Sequence, residues 1–399
     1  MKRAATDTYT PICLALPRLC PRLVPSPLWG LSLARLSRTD PQTLCSLLHT
    51  NPEEQRKCME ALQELHHWWL QLPRTRCTAC GANASDIDEE WLYLDEEPAA
   101  VLEAIRPLCR KCHLAKHLGY ALVTGKLREA ITHLAHVNMV DEDTARQLAA
   151  KAFKTHEELS KKKHWRIKIK PQPGLREETR ETLEQLLNRM HDERYSIDRQ
   201  WITYTADEKQ LERIEEEALK ETKETLEEAL GVKHLDEALE KIRQDSQAAE
   251  KLIETLRRHL ETRGVRLLWR ETLHALNLIA QQNPLEAIDA LRGKWIVFVK
   301  PELRGPAMRK ITRRLRANNL DYAAKTPAHP QHGEKPVIIQ TPSLLAPKQL
   351  AATAQAMQEA LAELGVEKPL IYKPDIYTAK GIYRGNKHGL KPYTYITLP

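Results

Sequence analysis

Two C-x-x-C pairs, Cys77–Cys80 and Cys109–Cys112, constrain this chain more than any other feature. Each pair holds two thiolates one tight turn apart, and two such knuckles can surround a single tetrahedral ion. Structural Zn²⁺ is the expected occupant. A pair of redox motifs is the other use of this spacing. His113 follows the second pair directly, and Lys116 and His117 come shortly after. On a helix His113 and His117 share a face, so chemistry is expected beside the structural ion.

The chain has 399 residues, 42% hydrophobic and 29% charged, which fits several folded domains and excludes a disordered chain. A net charge of +7 is compatible with nucleic acid as partner. Of the eight cysteines, Cys13, Cys20, Cys45 and Cys58 are scattered without ligand-like spacing. That density is too low for a secreted disulfide framework and points to a reducing compartment. Lys2 and Arg3 precede the apolar run Ile12–Leu16, but Pro17 and Arg18 interrupt it too early for an export signal. No window approaches a membrane span. The expected location is cytoplasmic, with no membrane partner.

Taken in order, the expected segments are 1–73, a Pro-rich arm and helices; 74–170, the zinc-knuckle domain; 171–290, a charged helical spacer; and 291–399, an α+β domain. Proline in residues 1–30 argues against regular helix there. Trp29 is expected to anchor the arm, with base stacking as its functional alternative. Ile87–Leu94 has strand character, Pro98–Ile105 reads as a short helix or turn, and the second knuckle is expected to run into a helix from His113 to about Lys126. The basic run Lys161–Lys170 suits either a nucleic-acid contact or a solvated edge strand. The spacer carries Glu/Lys/Arg at i,i+4 and apolar stripes through Ile214 and Leu252–Leu260, so a helical hairpin or coiled coil, and a homodimer through it, are expected. Strands are expected near Gly293–Lys300, Pro336–Gln340, Leu370–Lys373 and Tyr393–Leu398, alternating with helices near Ala307–Asn319 and Ala346–Gly365.

The stretch Leu108-Cys109-Arg110-Lys111-Cys112-His113-Leu114-Ala115-Lys116-His117 resembles the ββα-metal finger of HNH nucleases over about residues 74–166. The resemblance implies a β-hairpin framed by zinc knuckles and followed by a helix whose His holds a divalent metal against the scissile phosphate. His113 would be that ligand. Lys116 or His117 would face phosphate, or His117 would be a second ligand. The family places a general-base His on the hairpin. Here the position falls at Asp88-Glu89, where carboxylates can ligate Mg²⁺ or Mn²⁺ but are poor bases unless their pKa is raised.

Tyr372-Lys373-Pro374-Asp375-Ile376-Tyr377-Thr378-Ala379-Lys380-Gly381-Ile382-Tyr383-Arg384, with Gly293-Lys294-Trp295 and Ala324-Lys325, resembles a domain of the basophilic-leukaemia-expressed protein family. That resemblance covers about residues 291–399. It implies a fold like initiation factor 4E and a phosphothreonine lyase activity that is unsettled in the family. Lys373, Lys380 and Arg384 are candidates to meet phosphate; Tyr377 and Tyr383 either stack on a base or pack. A lyase would need a Lys base and a His acid, from Lys325 or Lys373 and His329 or His332. In the bland alternative Asp375 pairs Lys373 or Arg384.

The expected protein is therefore a multidomain α+β chain that binds zinc and a nucleic acid or other phosphate-bearing ligand. Metal-dependent cleavage by Asp88, Glu89, His113 and His117 is the sharpest reading. A phosphoprotein-directed lyase and a non-catalytic zinc adaptor are the alternatives.

Overall fold

The hairpin that follows the first knuckle organises the N-terminal half. In the computed structural model, which describes residues 7–198, 200–330 and 332–397, β1 (Asp86–Leu94) pairs antiparallel with β2 (Ala99–Leu108). β3 (Arg166–Ile169) joins β2 in parallel at the sheet edge. Pro98–Ile105, expected as helix or turn, is thus mostly strand. Ala99, Ala100, Val101 and Leu102 are all buried, and cross-strand burial overrides the weak strand propensity of alanine. β3 reads as the edge strand: Arg166 and Lys168 point out, Ile167 and Ile169 point in.

The chain divides into two units. The first takes the residues up to Pro41 together with His49–Gln200, so the arm and the knuckle segment belong to one body. The arm is not irregular throughout. Thr10–Ala15 is a short helix, with Pro11 in its first turn where a missing N–H costs nothing. Cys13 and Cys20 form a disulfide around the Pro17 turn, a pairing that the scattered cysteines did not suggest. Helices Pro52–Gln71, Leu127–Asn138 and Glu142–Ser160 belong to the same unit, helix Glu177–Asp192 packs on β3, and a short strand, β4 (Tyr195–Ile197), ends the unit. Asn51 and Asp141 cap two of these helices through backbone N–H groups. Gly30, at φ +84°, is required: a Cβ there would lie 2.7 Å from the Ile197 carbonyl oxygen.

The second unit, Gln42–Leu48 with Trp201–Pro399, is built on a largely antiparallel sheet. Its strands are β5 (Trp201–Tyr204), β6 (Val265–Leu267), β7 (Gly293–Val299), β8 (Ala324–Pro327), β9 (Lys335–Thr341), β10 (Ile371–Pro374) and β11 (Tyr395–Thr397), in the spatial order β5-β8-β9-β7-β10-β11-β6. Leu398, expected to end the last strand, lies outside the described residues. The sequence stretch expected as a spacer is divided: its start, with helix Glu177–Asp192, belongs to the first unit, and from Trp201 on it is folded into this one. Helices Glu208–Leu230 and Ser246–Glu261 bury Ile214, Leu226, Leu252, Ile253, Leu256 and Leu260 within the unit, so the apolar stripes are covered inside the chain. Trp201 and Tyr204 lie on β5. Trp295, Tyr372 and Tyr395 form the aromatic centre of the core. Helix Pro301–Ala317 is pressed against Gln42–Leu48. A Cβ on Gly305 would fall 2.3 Å from Ser46 Oγ, and buried Arg309 donates to the Leu47 carbonyl at 3.1 Å. No described helix is long and apolar enough to cross a membrane.

Candidate metal centre

The two knuckles meet at one end of the hairpin. Gly81 takes φ +76° and donates to the Cys77 carbonyl at 2.9 Å, which closes the first turn. Thr78 N–H donates to Pro107 O at 3.0 Å and ties that turn to the end of β2. Helix Arg110–Lys116 then starts at Cys109, whose sulfur accepts the Cys112 N–H at 3.5 Å. The Sγ atoms of Cys77, Cys80, Cys109 and Cys112 all lie within 4.8 Å of one another. Four thiols so placed can hold a structural metal such as zinc. Burial raises Cys77, but backbone N–H groups from Cys109, Cys80 and Ala79 outweigh it and bring the thiol down to about 7. His133 reaches this cluster from helix Leu127–Asn138, with Nε2 3.2 Å from Cys112 Sγ. Its ligand-sized spacing to the knuckles is absent from the sequence; the meeting comes from helix packing alone.

One turn further along the same helix lies a second cluster. Asp88 Oδ1 is 2.8 Å from His117 Nε2 and 3.6 Å from His113 Nε2. The three ligand atoms fall within 4.8 Å of one another. The imidazole rings of His113 and His117 meet edge to face at 4.7 Å. The helix does not run on to Lys126. It breaks at His117 (φ −98°, ψ 63°), and a second short helix, Leu118–Val123, follows.

Lys116 differs most from expectation. Its ammonium is buried against Asp88 Oδ2 and also donates to Glu89 O at 3.0 Å. It therefore neutralises the carboxylate instead of reaching for a phosphate, and leaves Oδ1 to the two imidazoles. Burial raises the Asp88 pKa, but Lys116, His113 and His117 more than offset this and hold it well below the usual carboxylate range.

Strand alternation separates the two acids expected to act together. Asp86 and Asp88 leave β1 on the helix side, and His113 Nδ1 is 3.9 Å from Asp86 Oδ2. Glu89 leaves on the other side. Its oxygens accept from Ala34 N–H at 2.7 Å and Trp91 Nε1–H at 2.8 Å. Burial pushes Glu89 up to about 7.

These residues form the floor of a cleft of about 440 Å³, walled by Arg35, Arg38, Arg74, Trp29 and Trp69. Trp29, expected to be an anchor, is 74% exposed. It cannot fasten the arm, because most of its ring contacts solvent.

The C-terminal candidates all lie in the second unit, and several are engaged in packing or pairing. Tyr377 is buried and donates its hydroxyl to Glu271 O at 2.6 Å, a packing role. Asp375 pairs with Lys294 at 2.5 Å, neither Lys373 nor Arg384. Lys325 lies 4.9 Å from the centre of the Trp201 ring. Lys373 lies 3.6 Å from the centre of the Tyr383 ring. Lys380 and Arg384 are exposed after the short helix Asp375–Ala379 that follows β10, His329 is half-buried and His332 exposed.

No protein-family model matches the chain, and no curated protein matches it. The functional reading therefore rests on this geometry.

Proposed function

We propose that the first unit is a divalent-metal-dependent nuclease of the HNH-like kind, with a structural Zn²⁺ on the four cysteines. The observation that carries the reading is the convergence of Asp88 Oδ1, His113 Nε2 and His117 Nε2 within 4.8 Å on the floor of a cleft with arginine walls. Two imidazoles and one carboxylate suit Mn²⁺ better than Mg²⁺, since imidazole nitrogen is a softer donor than water or carbonyl. A cation held there would acidify a bound water and polarise a phosphoryl oxygen. The chain supplies the rest. Lys116 fixes the carboxylate through Oδ2, His113 and His117 offer imidazole nitrogens, and Arg74, exposed at the cleft mouth, offers charge for the flanking phosphates. Glu89 acts as a strut for β1, because both its oxygens already accept hydrogen bonds.

One observation favours the rival reading, a non-catalytic zinc adaptor. The Lys116 ammonium already balances the charge of Asp88 without any metal. Incubation of purified protein with circular single-stranded DNA, duplex DNA and RNA, with Mn²⁺ or Mg²⁺ added, separates the two. The nuclease reading expects cleavage that His113→Ala reduces at least ~100-fold, in the range set by loss of a metal ligand or its close support. Zinc-loaded protein that cleaves none of these substrates supports the adaptor.

A further inference from the structure

A second candidate site lies on the sheet of the other unit, and it does not depend on the metal reading. Lys294 on β7 and Lys373 on β10 are direct cross-strand partners, so both side chains leave the same face of the sheet. Neither is well exposed: the Lys294 side chain is 15% accessible and Lys373 only 7%. Like charges directly opposite each other destabilise a strand pair, and more so where water screens poorly.

A single carboxylate serves the pair. Asp375 holds Lys294 at 2.5 Å. Lys373 has no oxygen acceptor among the described residues; its Nζ instead lies under the Tyr383 ring, 3.6 Å from the centre. A cation–π contact returns less than the cost of withdrawing an ammonium from water. Burial, and then the Lys294 charge, pull Lys373 down to about 8. Gln340 on β9 extends the same row past Lys294 and is exposed. Tyr383 is itself 54% exposed, so the ring that covers Lys373 faces solvent.

We propose that Lys294 and Lys373 form an anion site for a phosphate monoester, with Tyr383 as its outer wall. The row carries two ammonium groups against one carboxylate, so a phosphate dianion supplies the acceptor that Lys373 lacks and relieves the repulsion between the lysines. The carrier of the phosphate is open, and a nucleotide and a phosphorylated amino acid share the recognised group.

The test uses the full chain carrying His113→Ala, so that the metal site does not contribute. Calorimetric titration with inorganic phosphate, adenosine 5′-monophosphate and O-phosphothreonine measures affinity, with chloride as control. Lys373 acetylation by acetic anhydride, read by mass spectrometry, reports the residue itself. The expected result is saturable phosphate binding, weakened at least ~10-fold in both Lys294→Gln and Lys373→Met, with Lys373 acetylation slowed by phosphate. Lys373→Arg, which keeps the charge, is expected to retain binding if Lys373→Met fails to fold. Tighter binding of one ester than of free phosphate supports the site and identifies the carrier. Absence of binding by all three probes, or affinity unchanged in Lys294→Gln with Lys373 acetylation unprotected, overturns it.

Discussion

The cysteine cluster and the Asp88 cluster share one hairpin and one short helix, yet they are built to opposite specifications. The first gathers four like, soft ligands and leaves no position for substrate. The second gathers a buried carboxylate and two imidazoles that are each about a third exposed, beneath a cleft. In the first, His133 touches a sulfur from a neighbouring helix. In the second, Lys116 has already claimed half of the carboxylate. The contrast teaches that a closed site is specified by ligand spacing alone. An open one needs partners that hold its ligands apart from one another and ready.

The largest effect that separates the clusters is expected from the cysteines. Apparent zinc-binding energies of about 10 kcal/mol or more in small zinc modules are folding energies. Cys109→Ser, or a strong chelator, is therefore expected to lower zinc content well below one ion per chain and to melt the hairpin and its helix, read by metal analysis and circular dichroism. Full retention of structure without metal would break the comparison, since the first cluster would then stabilise nothing.

Next is Asp88→Ala. It strands the buried Lys116 ammonium, so a loss of about 3–5 kcal/mol is expected in denaturant unfolding. Asp88→Ala combined with Lys116→Met should recover most of that stability while cleavage stays lost. If the single variant is as stable as the parent, the pair is not a buried support, and the second cluster loses the feature that distinguishes it.

A smaller effect is expected from His133→Ala. Loss of a group that touches a ligand sulfur should weaken zinc affinity about 10–100-fold in a chelator competition. Cleavage per zinc-loaded molecule should be unchanged. A change in cleavage without a change in zinc affinity would show that the clusters are coupled.

These expectations divide according to what the chain could disclose before folding. The knuckles were legible because C-x-x-C is local: its geometry is fixed within one turn. The α+β character and most of the strands and helices from Gly293 onward were legible from periodicity, but β8 and the short helix Asp375–Ala379 were not. His113 and His117 were legible as an i,i+4 pair. Lys116 was not, because its direction is decided by Asp88 on a strand 28 residues earlier. Glu89 was separable in principle, since alternate residues of a strand face opposite sides, and pairing it with Asp88 ignored that period. Pro98–Ile105 misled because its three alanines favour helix until a partner strand covers them. The stripes of the charged helices were read correctly as apolar, but the sequence does not say that the same chain covers them. Lys294 beside Lys373 is likewise a product of register, invisible until β7 and β10 pair.

The central claim is that one hairpin–helix unit carries two metal sites of different kinds. Titration of Mn²⁺ into zinc-loaded protein, followed by the electron paramagnetic resonance signal of free Mn²⁺, tests it most directly. The account predicts about one Mn²⁺ bound per chain at the open site, lost in His113→Ala and in His117→Ala while zinc stays at one per chain. Mn²⁺ that does not bind, or that binds equally well in both variants, would contradict it.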